Sequence, residues 1–113
     1  MGNAMELAAT DDGETTLITL QETRIDAANA TYFKDRMREV IADHGKPVLL
    51  DLCRVDFMDS SGLGALIAVL KGMPPGLTLT LCNATSNVQR VFKLTRMDSV
   101  FRILPSHKQD ETG

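Results

Sequence analysis

Phe57-Met58-Asp59-Ser60-Ser61-Gly62-Leu63-Gly64 stands between two runs of different period. On its N-terminal side, Pro47-Val48-Leu49-Leu50-Asp51-Leu52 is almost continuously apolar. A strand of a parallel sheet covered on both faces reads this way. On its C-terminal side, Leu63, Leu66, Ile67 and Leu70 recur at i, i+3, i+4 and i+7, one face of a helix. A buried strand over residues 48–52 therefore ends before the octapeptide, and a helix over residues 61–71 begins within it. Asp59 and Ser60 each carry a side-chain oxygen that suits a helix N-cap. Gly62 and Gly64 keep the first turn free of bulk, so another backbone can come close.

Working outward, the pattern alternates between the two periods. Upstream, Ala30, Phe33, Met37, Val40 and Ile41 form an apolar stripe at helical spacing, with charged residues largely off it. Asp26 stands at the start of this helix as a candidate cap, Gly45 closes it, and Pro47 prevents its resumption. Further upstream, residues 5–9 and 15–20 read as two strands of a hairpin around an Asp11-Asp12-Gly13-Glu14 turn. Residues 21–26 read as a polar connection. Downstream, Gly72-Met73-Pro74-Pro75-Gly76 is a turn, and Leu77-Thr78-Leu79-Thr80-Leu81 alternates as a strand with one buried face. Ser86 and Gln89 are spaced as a capping box for a third helix, which turns Val88, Val91, Phe92 and Leu94 inward. Residues 100–104 read as a last strand. The order is β-β-α-β-α-β-α-β, which implies an α/β fold with a mixed, mostly parallel sheet and crossover helices.

The chain has 113 residues, enough for one domain. Residues 5–104 are expected to form it, with residues 1–4 as a tag or loose start and residues 105–113 as a polar tail. The apolar fraction is 43% and the aromatic fraction only 4%, so the core must be built from Leu, Val, Ile, Ala and Met. With 12 basic and 15 acidic side chains, no basic stripe accompanies stacking aromatics, which argues against a nucleic-acid surface. No apolar run approaches the ~20 residues of a membrane span, and no signal peptide is expected. Cys53 and Cys82 fall at predicted strand ends and are expected to be buried thiols. His44 and His107 have no second ligand at metal spacing, so neither a metal nor any other cofactor is expected. A Ser-His-Asp hydrolase would need a Gly-x-Ser-x-Gly elbow, and Met58 occupies its first glycine position. The chain is therefore not expected to be an enzyme.

The octapeptide, reached through Val55-Asp56, resembles the signature of STAS domains, and most of all that of the bacterial anti-anti-sigma factors, or anti-sigma factor antagonists. The resemblance runs from about Leu7 to Leu104 and implies a STAS-like single domain. It implies a cytoplasmic signalling protein that binds an anti-sigma factor with a GHKL-type serine kinase fold and is released by phosphorylation. A PPM-type phosphatase would reverse the modification; ATP and Mg²⁺ belong to the kinase. Carried over by position, Ser60 is the phosphoacceptor, and Asp26, Asp59, Ser61, Gly62, Leu63 and Gly64 are partner-binding residues. Gly64, Ala65, Ala68 and Val69 offer small and apolar surface for docking if the domain itself does not cover them. Two departures stand out: Thr23 occupies a position where relatives often have Gly, and the tail is too short and polar for the further helix with which relatives usually end. The alternative from another class is a non-phosphorylated STAS accessory subunit of a transport or signalling complex.

Overall fold

The computed structural model describes residues 5–104. The expected tag and tail lie outside them. In chain order the elements are β1 (Leu7–Asp11), β2 (Thr16–Leu20), β3 (Arg24–Ile25), α1 (Ala30–His44), β4 (Val48–Asp51), β5 (Phe57–Met58), α2 (Ser60–Lys71), β6 (Leu79–Cys82), α3 (Ser86–Leu94), a 3₁₀ turn (Met97–Ser99) and β7 (Arg102–Ile103). The main sheet runs β1-β2-β4-β6-β7. β1 is antiparallel to β2, and the other pairs are parallel. This is the predicted α/β arrangement with crossover helices.

The first strand of the hairpin lies two residues later than its composition implies, and the turn one residue later. Asp11 belongs to β1 opposite Thr16, and the turn spans residues 12–15. Asp12 Oδ1 accepts from the N–H groups of Glu14 and Thr15, and Gly13 takes a φ of 96° that a side chain would resist. The stripe on α1 is buried as expected, at Ala30, Phe33, Met37, Val40 and Ile41. Gly45 closes the helix in the left-handed region, donating its N–H to the Ile41 carbonyl at 2.9 Å.

The sheet is not covered on both faces. Burial alternates along β2 and β4: Ile18, Leu20, Val48 and Leu50 are buried, while Leu17, Thr19, Leu49 and Asp51 are half-buried. The buried set packs with Phe33 and Met37 of α1, Leu66 of α2, and Val88 and Phe92 of α3 in a single core. The helices thus share one face. On the other, Leu17 and Leu49 are register partners and shield each other, which makes the run before Leu52 look apolar throughout.

Four further expectations shift. The α3 cap is Thr85, not Ser86: its Oγ1 accepts from the Val88 N–H at 3.4 Å, and Gln89 donates to the Ala84 carbonyl at 2.7 Å. Leu94 points to solvent, 77% exposed, because the helix ends there and Thr95 folds back onto the Val91 carbonyl. The last strand shrinks to Arg102–Ile103, since Met97–Ser99 forms a 3₁₀ turn entered through Arg96 at φ 62°. Cys82 is buried and its thiol is pushed up to about 11, mainly by burial, but Cys53 lies at the surface. β4 ends at Asp51, which leaves Cys53 in the turn after it.

Candidate functional site

The stretch entering the octapeptide is itself a short strand. β5 pairs in parallel with β3, Arg24 opposite Phe57 and Ile25 opposite Met58, forming a ribbon separate from the main sheet. The polar connection expected over residues 21–26 therefore supplies half of the site. Its backbone carries the octapeptide. Thr23 O accepts the N–H groups of Asp56 and Phe57 at 2.7 and 3.2 Å, and Ile25 O accepts that of Asp59 at 3.3 Å.

Helix α2 starts one residue earlier than its pattern predicts. Asp59 is the N-cap, extended at φ −101° and ψ −171°, and its Oδ1 accepts from the Gly62 N–H at 3.0 Å. Ser60 is consequently the first helical residue. Its side chain is exposed, as are Ser61 and Gly64. Gly62 and Leu63 lie beneath the surface. A Cβ on Gly62 would land on the Ile25 carbonyl oxygen and within 2.9 Å of its carbon. The missing side chain is what lets the helix start sit against the ribbon. At Gly64 an added Cβ would meet no atom within 4 Å.

Asp26 follows Ile25 as Asp59 follows Met58, so both stand just past the same end of the ribbon. It does not cap α1. Its Oδ1 accepts from the Ala28 N–H at 3.0 Å, and its carbonyl accepts from Asn29 and Ala30 at 3.1 and 2.8 Å. It holds the turn before the helix. Asn29, at the N-cap position, is tied back instead: Nδ2 donates to the Arg24 carbonyl and Oδ1 accepts from the Asp26 N–H. Arg24 Nε donates to Asp26 Oδ2 at 3.0 Å, while the guanidinium carbon stands 4.4 Å from the centroid of the exposed Phe57 ring. This contact, followed by the Ala28 N–H, holds the Asp26 carboxyl below the usual carboxylate range.

The site therefore brings Asp26, Asp59 and Ser60 to one end of the ribbon, beside Arg24, Phe57 and Asn29. The sequence alone points to no role for the last three. A two-residue strand leaves little period to detect, although Arg24-Ile25 and Phe57-Met58 share an exposed–buried order.

Residues 6–109 match the sequence profile of the STAS domain. The chain belongs to the STAS domain family. Solved STAS-like structures show the same fold at low identity. One is an anti-sigma factor antagonist from Mycobacterium paratuberculosis, at 20% identity and a TM-score of 0.80, covering 99% of this chain and 95% of that one. The phosphorylated form of the Bacillus cell fate determinant SpoIIAA matches at 16% identity and a TM-score of 0.64, covering 95% and 96%. The murine solute carrier 26 family member A9 anion transporter matches at 21% identity and a TM-score of 0.69, covering 86% of this chain but 17% of that one.

In this STAS domain a shallow groove of about 310 Å³ runs beside Ser61. Ala27, Ala30 and Lys34 line one side, and Ser61, Gly64 and Ala68 the other. Of the four residues expected as docking surface, Gly64 is exposed and Ala68 half-buried, but Ala65 and Val69 are buried as part of the domain's own core. His44 is engaged elsewhere. Its Nδ1 lies 3.0 Å from Asp11 Oδ2, which also accepts from Lys46 at 2.9 Å. Those residues sit where the parallel strands begin, opposite the end that carries Ser60, so no Ser-His-Asp set assembles around Ser60 from His44. Hydrogen bonds from Lys46, His44 and the Gly13 N–H hold the Asp11 carboxyl far below its ordinary range. Among the described residues no group of three His, Cys, Asp or Glu side chains could hold a metal, and no helix is long and apolar enough to cross a membrane. His107 lies outside the described residues.

Proposed function

We propose that this STAS domain is a cytoplasmic anti-sigma factor antagonist, switched by phosphorylation of Ser60, that regulates transcription by partner exchange. The carrying observation is the position of Ser60: first in α2, exposed, and relieved of capping duty by Asp59. Its hydroxyl is available to an incoming kinase without unwinding the helix. The likeness to the phosphorylated Bacillus protein supports the same reading.

The switch acts by charge. A seryl phosphate adds nearly two negative charges and three acceptor oxygens. The helix N-terminus favours anionic groups, so the domain can hold the phosphate. The partner's surface bears the change. Where it packed on a neutral hydroxyl flanked by Asp26, Asp59, Ser61 and Gly64, it meets a hydrated dianion beside two carboxylates. Each 1.4 kcal/mol of lost contact weakens binding about tenfold. Gly62 and Leu63 act from beneath, setting where Ser60 stands. The partner in this reading is an anti-sigma factor with a GHKL-type serine kinase fold, which brings its own ATP and Mg²⁺, and a PPM-type phosphatase restores the free hydroxyl.

Incubation with GHKL-type serine kinases and ATP tests this by intact mass. One phosphate is expected on the wild type and on Ser61→Ala, and none on Ser60→Ala. Kinase capture should fail for Ser60→Glu; capture as tight as wild type would refute the charge switch. The second reading, an unmodified subunit of a larger assembly, is favoured by the likeness to a segment of an anion transporter. It predicts a stable complex that Ser60→Glu leaves intact.

A further inference from the structure

A cation at the ribbon end, Arg24, is engaged in a way that a phosphate would disturb. Arg24 Nε holds Asp26 Oδ2 at 3.0 Å, and its guanidinium lies over Phe57. Both contacts are at the surface: the Arg24 side chain is 58% exposed and Phe57 41%. The parallel register continues from Ile25–Met58 towards Asp26 and Asp59, with the Asp59 N–H on the Ile25 carbonyl. Paired strands lie about 4.8 Å apart, and consecutive Cα atoms 3.8 Å. Ser60 follows Asp59 directly and so leaves the same ribbon end at which Arg24 holds Asp26.

We propose that Arg24 reads the phosphate on Ser60 from within the domain, its guanidinium leaving Asp26 for the phosphate and uncovering Phe57 as it goes. The inference rests on Ser60 being the modified residue. It adds a second output to the switch: besides gaining charge, the docking face loses a stacked arginine and gains a freed carboxylate and an open aromatic ring. The competition favours the phosphate. Guanidinium–phosphate pairs are commonly bidentate and charge-assisted, whereas Asp26 holds Arg24 through Nε while its other oxygen serves the Ala28 N–H. That second bond stays when Arg24 leaves, so the turn before α1 keeps its shape. The other charged groups at this end are Asp59, which caps α2, and Lys34 across the groove from Ser61. The two carboxylates repel a phosphate, and Lys34 is the competing cation.

The full chain with phosphoserine installed at position 60 during translation tests the inference without any kinase. Phosphorus NMR titration of this protein is compared with its Arg24→Gln, Arg24→Lys and Lys34→Gln variants. Arg24→Gln should raise the second phosphate pKa by roughly half a unit or more, the direction expected when a neighbouring cation is removed. Arg24→Lys should restore part of the shift, and Lys34→Gln should move it less. In the wild type the Arg24 Nε–H and Asp26 carboxyl resonances should both shift when Ser60 carries the phosphate. A phosphate pKa unchanged by Arg24→Gln, or moved more by Lys34→Gln, overturns the proposal. Kinases that never modify Ser60 would sink the reading above, while the titration would still report on Arg24.

Discussion

Helices α2 and α3 begin in nearly the same way and serve different ends. Each has a capping side chain that accepts the N–H three residues on, Asp59 from Gly62 at 3.0 Å and Thr85 from Val88 at 3.4 Å. Each then presents an exposed serine as its first residue, Ser60 and Ser86. An accessible hydroxyl at such a start is thus a by-product of capping and singles out neither helix. Their neighbours separate them. Thr85 Oγ1 donates to the Val55 carbonyl at 2.7 Å, and Asn87 Nδ2 donates to Asp56 Oδ1 at 3.1 Å and to its carbonyl at 3.2 Å. The start of α3 is a brace for the turn that leads into β5. The start of α2 sits on the ribbon that this brace supports, with Asp26, Arg24 and the groove beside it.

The third helical residue offers the sharpest way to break the comparison. Gly62→Ala drives a methyl into the Ile25 backbone, and no flexible side chain can yield there. We expect a loss of about 3 kcal/mol in urea unfolding, with weaker kinase capture as the ribbon and helix part. The equivalent change in α3 has the opposite cause. Val88→Ala empties a fully buried site and should cost roughly 2 kcal/mol. Equal tolerance at position 62 would show that the close approach is dispensable.

Next come the caps themselves. Asp59→Ala should cost about 1 kcal/mol. Thr85→Ala should cost more, roughly 2 kcal/mol, because it also strands the Val55 carbonyl. Thermal melts of the two variants rank them directly, and a reversed order would deny α3 its bracing role.

A smaller effect separates the two ends by pH. The Asp26 carboxyl lies below its unfolded value of 3.8, chiefly through Arg24. A lowered carboxylate stabilises the fold above the unfolded value and loses that contribution as pH falls through the folded one. Arg24→Gln should therefore be less stable than wild type near neutrality, with the gap closing well below pH 3.8. Ser86→Ala should show no comparable pH dependence. Opposite in sign, Gly64→Ala has open space around it and should gain up to about 1 kcal/mol of helix stability. It should nevertheless weaken partner capture if the groove is the docking surface.

Much of this was readable in one dimension. The α1 stripe, the Gly45 stop and the strand-to-helix change at Asp59 all rest on local period and local capping, which neighbouring residues specify among themselves. Ser60 and Asp26 entered through the resemblance of the octapeptide and the residue preceding the first helix. Arg24 and Phe57 did not, because β3 and β5 are two residues long and pair across a long stretch of chain. The open face of the sheet was hidden for another reason. Leu17 and Leu49 are apolar because they cover each other, and sequence alone does not distinguish that from burial under a helix.

By itself, then, the sequence determined the order of the main-sheet strands and the three helices, the buried stripe of α1, and the presence of a cap followed by serines at residues 59–61. Only the tertiary structure decided that Asp59 rather than Ser60 caps α2, that Gly62 faces a backbone, and that Arg24 joins Asp26 at the same ribbon end. Period and capping propensity act over a few residues and leave their mark in the chain. The ribbon exists only when distant segments meet, and its hydrogen bonds run through backbone atoms that every residue type shares.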